Sequence, residues 1–579
     1  MAESGNSALI NALKQLGIHC FAGVNGGGII HITKYLAPIQ ESQVLGDDVP
    51  KMFTLSEYAA GFMPIGYYLA SGKIGGCIAT TGAAIKLASS GLSEAKLSNI
   101  PAVYLFALNS SFSIGRAPLQ DVSIYGMNII PQLQAELADG CIVIEDISQL
   151  ESQLEHAQKI LNKSRPIAIA FYPDVLSQSI DLKVSKISKK ETSDGGDLET
   201  FLAKFPQQVL NRRVVLWVCS EAARYNNIKT LTTLFSNLLQ APTVWSVNGA
   251  NAVAADNPFG YGYISFGGND KALELWQSLN EQDIVIALGF DPGEYSLNLA
   301  NITAGVVWHF TDMPYAYGNI EGNVRHRISG EYYMVRGSLS HNLETIINTF
   351  KTRNISLQMQ PGSRLNDLNY KKTSEYQVKA DCVDLIEFYK ALNQSWQLHS
   401  IGFDDVCLAY KDRQYVTERP NPNINFYSLQ DGSAMGASLG LGVGAKLAVP
   451  SLHTFIFTGN GCWRLFSGNL ADVRSLDLRL FVFNNQNYAI VQQALNVIIP
   501  EIERDHYHSV LPNIDFVAVA KAHGWEAFKL APNLVNLKEI MHLCYTTRGR
   551  SILIEVPVDP QQEVGPNPRL KNIMMSTYL

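Results

Sequence analysis

Residues 453–491 read HTFIFTGNGCWRLFSGNLADVRSLDLRLFVFNNQNYAIV. An apolar run of strand length ends in Gly459-Asn460-Gly461, a helical stretch follows, and a second apolar run ends in Asn484-Asn485-Gln486-Asn487. That order places both turns at the carboxyl ends of parallel strands, where open α/β sheets bind their ligands. Glycine lets backbone N–H groups approach an anion, a helix start favours it, and amide oxygens suit a hard cation. Two ordinary strand-to-helix turns would also be rich in Gly and Asn. A diphosphate with its metal and a plain pair of turns are both open at this point.

The same alternation of short apolar runs with longer amphipathic stretches extends along the whole chain. CIAT, AVYLFAL, IAIAFY, RVVLWVCS, DIVIALGF, GVVWHF and SILIEVPV join HTFIFTG and LRLFVFNN as strand candidates. Nearly all are apolar on both faces, as strands covered by helices on both sides must be. The fold class expected is α/β, with doubly wound parallel sheets. Polar, Gly-containing stretches at 183–199 and 352–377 read as linkers and divide the chain into segments 1–182, 190–352 and 375–579. Each is long enough to bury its own core.

The 579 residues are 46% hydrophobic and 17% charged, with 45 basic against 52 acidic side chains and a net charge of −7. Mild acidity without a basic run argues against nucleic acid or an anionic membrane surface and for a small-molecule partner. No window approaches the ~18 uninterrupted apolar residues of a membrane span, and MAESGNSALINALKQLG lacks the charged head and apolar centre of a secretory signal. The eight cysteines are scattered without a CxxC spacing, so neither zinc nor a disulfide framework is indicated and a cytoplasmic location is expected. His506 and His508 have no third ligand nearby and read as loop histidines.

Upstream, LQDGSAMGASLGLGVGAKLAVP carries Gly440, Gly442 and Gly444 inside an Ala/Leu run; close helix packing explains them better than a dinucleotide loop. In the first segment Glu57 stands after an apolar strand at the start of a small-residue helix, in LSEYAAGFMPIGYYLASGKIGGCIATTGAA. Alone it would be a carboxylate capping a helix dipole.

Together these stretches resemble the thiamine-diphosphate-dependent 2-oxo acid enzymes, the superfamily of acetolactate synthase, pyruvate oxidase and pyruvate decarboxylase. GIHCFAGVNGGGIIHI, which contains Gly27, resembles the family's opening strand and glycine turn, and IDFVAVAKAHGWEAFKL with SILIEVPVDPQQEV resembles its C-terminal end. The resemblance implies pyrimidine-binding, central and diphosphate-binding domains in that order. It also implies a homodimer or homotetramer with the cofactor held between subunits.

Carried over by position, Glu57 matches the glutamate that hydrogen-bonds the aminopyrimidine N1′ and, through the imino tautomer, allows the thiazolium C2 to lose its proton. Met435 matches the large apolar residue under the cofactor, Ser433 the backbone carbonyl facing its amino group, and Gly82 the turn near the thiazolium. Gly459, Asn460, Gly461 and Cys462 fall on the diphosphate motif. Asn485, through its side chain, and Asn487, through its backbone carbonyl, join Asn460 as ligands of Mg²⁺ or Ca²⁺. Gln120, in ALNSSFSIGRAPLQDVSIYGM, matches the acetolactate-synthase glutamine, and the histidine pair of the decarboxylases is absent.

The activity implied is decarboxylation of a 2-oxo acid, pyruvate first among candidates, with transfer of the acyl carbanion to an acceptor. C–C cleavage, simple decarboxylation and a degenerate non-catalytic subunit are the alternatives. The family's motif carries Asp where this chain has Asn460, and Asp404 or Asp405 is expected to restore the missing carboxylate. The central segment has no loop specific to FAD.

Overall fold

The computed structural model describes residues 3–39, 49–181, 195–264, 266–317, 325–353, 359–370, 376–429 and 431–577. The segment edges expected at 182, 190 and 375 lie outside the described residues. Helix Gly195–Gln208 begins inside the stretch read as the first linker.

Three parallel sheets organise the chain. The first contains β1 (Cys20–Gly23), β2 (Ala37–Pro38), β3 (Lys51–Thr54), β4 (Gly76–Ala79), β5 (Val103–Ala107), β6 (Cys141–Ile144) and β7 (Ile167–Phe171), in the order β2-β3-β1-β4-β5-β7-β6. The second contains β8 (Val214–Val218), β9 (Thr243–Trp245), β10 (Gly260–Tyr263), β11 (Ile284–Leu288), β12 (Val306–Thr311) and β13 (Glu331–Arg336), in the order β10-β9-β8-β11-β12-β13. The third contains β14 (Ser400–Asp404), β15 (Ile424–Ser428), β16 (His453–Gly459), β17 (Leu478–Asn484), β18 (Glu526–Lys529) and β19 (Ile552–Pro557), in the order β15-β14-β16-β17-β19-β18. The fold is α/β, as expected, and each of the nine apolar runs falls on a strand. β5, β7, β8, β11 and β17 are buried at every residue, because helices cover both faces.

Register decides where the motifs stand. β16 pairs with β17 so that Gly459 lies opposite Phe483, which brings Asn460 level with Asn484, the last residue of β17. Asp404 lies opposite Phe457 on the other side of β16. The GNG turn, the NNQN turn and the Asp404-Asp405 pair therefore share one edge.

Helices α1 (Glu57–Ser71) and α2 (Ala437–Ala448) join the first and third sheets through one core that includes Ala59, Phe62, Met63, Leu439, Leu441 and Val443. Their backbones nearly touch. A Cβ on Gly66 would lie 1.9 Å from the Leu441 carbonyl oxygen, and one on Gly440 2.2 Å from that of Ala59. The glycines of the GLGVG run are thus packing glycines. The middle sheet has its own core around Phe201, Phe205, Trp308 and Phe310. Among the described residues no helix is long and apolar enough to cross a membrane.

Candidate active site

The sequence-derived residues fall into two groups, each at the carboxyl edge of a sheet. In the first sheet, β1 runs into the Gly26–28 turn, β3 into Glu57, β4 into Thr80-Thr81-Gly82, and β5 toward the loop of Gln120. The Gly28 N–H donates to Thr80 Oγ1 at 3.1 Å, while Gly27 is exposed with nothing near its Cβ position. Gly82 has φ +81°, and a Cβ there would lie 2.6 Å from Gln120 Cβ, so these two residues are in contact. Thr81 Oγ1 donates to Gln120 Oε1 at 3.2 Å. That bond engages the amide oxygen and leaves Gln120 Nε2 as the outward donor. Glu57 is the first residue of α1 and half-buried.

The second group surrounds a cavity of about 190 Å³ at the carboxyl edge of the third sheet, lined by Met435, Gly459, Asn460, Gly461, Cys462, Asn485 and Asn487 among others. Glu57, Gly82 and Gln120 do not line it. Ser433, two residues from Met435, lines a different and larger cleft of about 1100 Å³ between the sheets. Its φ of +47° turns the chain between the two positions.

Thiamine diphosphate and a divalent cation, the groups the resemblance implies, can be tested against these residues. Asn460 opens the one-turn helix α3 (Asn460–Trp463) and is 3% exposed. The first N–H groups of a helix have no intrahelical acceptor and can bind phosphate oxygens. Among the described residues Asn487 Oδ1 is buried without a hydrogen-bond partner, and the Asn485 side-chain Oδ1 accepts from the Asn487 N–H at 3.0 Å. Neutral oxygens around helical N–H groups fit a diphosphate held through a hard cation. Among the described residues no Lys, Arg or His lines the cavity, so a diphosphate bound there would need a cation to balance its charge. Among the described residues no cluster of three or more His, Cys, Asp or Glu could hold a metal by itself. His506 and His508 are exposed, as loop histidines should be.

Asp404 and Asp405 do not restore the missing carboxylate. Arg413 grips Asp404 with two bonds, Nη1 to Oδ1 at 2.5 Å and Nη2 to Oδ2 at 2.6 Å, and Ser428 Oγ donates to Oδ2 at 2.7 Å. Asp405 accepts from the Gly436 N–H at 2.8 Å, Ser438 Oγ at 2.7 Å and Thr458 Oγ1 at 2.9 Å. Burial pushes its carboxyl upward against the pull of these donors. Both side chains are spent holding the loops around the cavity, which is why two adjacent buried acids are tolerated. Two carboxylates that sequence reading missed, Asp559 and Asp412, do line the cavity, and Asp412 lies 2.7 Å from Lys411 Nζ. Burial raises it to about 6.

The carboxyl ends of the paired strands β8 and β11 in the middle sheet are occupied by the chain's own acids. Asp291 accepts from the Ser220 N–H at 2.8 Å and from Ser220 Oγ at 2.6 Å, and Ser246 Oγ also donates to it. Glu221 accepts from Thr311 Oγ1 at 2.8 Å and the Asp312 N–H at 2.6 Å. These strand-end donors are the ones nucleotide phosphates use in such sheets.

Burial raises Glu221 from 4.5 to about 7. Its stabilising effect is therefore complete below pH 4.5 and is lost as pH rises through 7. Glu221→Gln keeps the geometry and cannot ionise. It should flatten the pH dependence across this window and raise stability at pH 8 by on the order of 3 kcal/mol. Urea midpoints of both proteins from pH 4.5 to 8 check this; parallel curves would refute it.

Comparison with known proteins agrees with the geometry. The thiamine pyrophosphate enzyme N-terminal TPP binding domain matches residues 3–127, and the C-terminal TPP binding domain of the same enzymes matches residues 412–556. The chain is similar to the acetolactate synthase isozyme 2 large subunit of Escherichia coli, at 22% identity over 90% of each chain. It is similar to the acetolactate synthase large subunit of Lactococcus lactis, at 21% identity over 97% of this chain and 94% of that one. In structure it resembles a thiamine diphosphate-dependent 4-hydroxybenzoylformate decarboxylase of Rhodococcus jostii, with a TM-score of 0.77 and 15% identity over 96% and 99% of the two chains. With both cofactor-binding domains matched and the relatives spanned nearly end to end, this chain belongs to the superfamily of thiamine-diphosphate-dependent 2-oxo acid enzymes.

Proposed function

We propose that this enzyme decarboxylates a 2-oxo acid, pyruvate first among candidates, and transfers the remaining acyl unit to a second carbonyl, as the acetolactate synthases are named for doing. The observation that carries this reading is the division of the motif residues. Glu57, Gly82 and Gln120 stand at one sheet edge, while Met435, Asn460 and Asn485 surround a separate cavity at another. That cavity is smaller than the roughly 300–1,000 Å³ of a complete small-molecule site. A cofactor with a pyrimidine at one end and a diphosphate at the other needs both sets, and a second copy of the chain supplies the missing one. The loop around Gln120 supports such an interface: Phe112, Leu119, Ile124 and Tyr125 are 69%, 88%, 70% and 73% exposed.

In this reading residues 1–182 bind the pyrimidine, 190–352 form the central domain and 375–579 bind the diphosphate, in a homodimer or a homotetramer. A cytoplasmic location fits the eight free cysteines. Bound thiamine diphosphate supplies the nucleophilic carbon and accepts the electrons released with CO₂. Glu57 holds a proton at the pyrimidine N1′, Met435 fills the space beneath the cofactor, and Gln120 Nε2 donates to a substrate oxygen. Asn460, Asn485 and Asn487 hold Mg²⁺ or Ca²⁺.

Calorimetric titration with thiamine diphosphate, with and without Mg²⁺, followed by a screen of 2-oxo acids, tests the proposal. Absence of binding under both conditions would overturn it in favour of a non-catalytic subunit. A ligand shell without carboxylates should lose its cation readily to a chelator. Asn460→Asp should tighten Mg²⁺ retention in the loaded protein about tenfold or more, read as the chelator concentration needed to release it. Equal or weaker retention would remove Asn460 from the ligand set.

A further inference from the structure

The peptide unit between Met435 and Gly436 is held at both of its polar groups. Its carbonyl, that of Met435, accepts a hydrogen bond from Tyr58 Oη, and its N–H, that of Gly436, donates to Asp405 Oδ1 at 2.8 Å. The two grips come from opposite ends of the sequence: Tyr58 is the second residue of α1, and Asp405 directly follows β14. A peptide plane fixed at both ends cannot rotate, so the direction in which Met435 leaves the backbone is fixed with it. Gly436, at φ +84°, carries the turn that follows.

Tyr58 is itself restrained. Its ring meets Phe62 edge-on at 5.3 Å, and neighbouring Ser56 Oγ donates to Asn469 Oδ1 at 2.9 Å, which ties the start of α1 to the connection between β16 and β17. Burial and the nearby Asp405 charge push the phenol upward, so it stays a donor.

We propose that Tyr58 is a positioning residue of the active site, which sets the Met435 side chain beneath the cofactor by holding its carbonyl. The inference rests on the function proposed above, in which Met435 shapes the bound cofactor. It adds a link between sites. Glu57 serves the cofactor shared with the partner subunit, and the adjacent Tyr58 holds the wedge of its own chain, so one helix end touches both sites of a dimer.

The test uses full-length protein loaded with thiamine diphosphate and Mg²⁺, and needs no substrate. The readout is exchange of the cofactor's C2 proton with D₂O, followed by NMR after acid quench, beside calorimetric affinity for the cofactor and the melting temperature. Tyr58→Phe should slow exchange about tenfold, the effect of one hydrogen bond, while affinity changes less than about threefold. Met435→Ala should slow it at least as much, and the double variant should be no slower than Met435→Ala alone, because Tyr58 acts through Met435. Exchange within twofold of wild type in Tyr58→Phe, or additive losses in the double variant, would overturn the proposal. A fall in affinity and melting temperature without slower exchange in the loaded protein would reduce Tyr58 to a structural contact and overturn it equally. Wild type that fails to bind thiamine diphosphate, or to exchange C2 faster than the free cofactor, would instead remove the proposed function and this inference with it.

Discussion

Glu57→Gln is expected to lower turnover by about 10²- to 10⁴-fold without disturbing the fold. The glutamine fills the same volume at the first position of α1 and leaves the core beneath it untouched. It removes the one property that the proposed role needs, a proton that can be held or released at the pyrimidine. The structural cost is confined to the loss of a carboxylate at a helix N-terminus, about 0.3–1 kcal/mol. Circular dichroism and melting should therefore match wild type, while single-turnover rates with the active 2-oxo acid collapse. Activity within tenfold of wild type would exclude Glu57 as the proton-carrying group.

Gly66→Val should be the most destabilising of the single substitutions considered. The new Cβ would stand 1.9 Å from the carbonyl oxygen of Leu441, which is backbone and cannot swing aside. To reach ordinary contact α1 and α2 would have to separate by more than an ångström. That opens the core shared by the first and third sheets along Ala59, Met63, Leu441 and Val443. A loss of about 4 kcal/mol or more is expected, at the extreme of single substitutions. Gly468→Ala is the control: nothing lies within 4 Å of its Cβ position, and its effect should stay within about 0.5 kcal/mol. Urea unfolding followed by tryptophan fluorescence measures both. Equal midpoints would mean that the helices do not approach as closely as described.

The architecture was legible because burial on both sides leaves a local signature. A strand such as Val103–Ala107 is apolar at every position, and that pattern reads directly from the chain. The GNG and NNQN turns were legible for a related reason, since each follows such a run. Partners distant in sequence were not legible. Asp404 and Asp405 were read as candidates for the missing carboxylate, but the hydroxyls of Ser438 and Thr458, which engage Asp405 from 33 and 53 positions away, are brought there only by folding. Nothing in LSEYAAG singles out Tyr58, because its acceptor lies 377 positions away. Ser433 and Met435 were read as neighbours in one site; the backbone reversal at Ser433 sends them to different cavities. The polar first turn of Gly195–Gln208 resembles a linker until its later residues Phe201 and Phe205 are seen inside the middle core.

The contact of α1 with α2 acts as a length standard. In the proposed dimer each chain lends Glu57 to one site and Met435 with Asn460 to the other. The separation of the two sites is then set within a single chain, by backbone lying on backbone with no compressible side chain at Gly66 or Gly440. The spacing between the two cofactors stays constant unless the pair of helices comes apart.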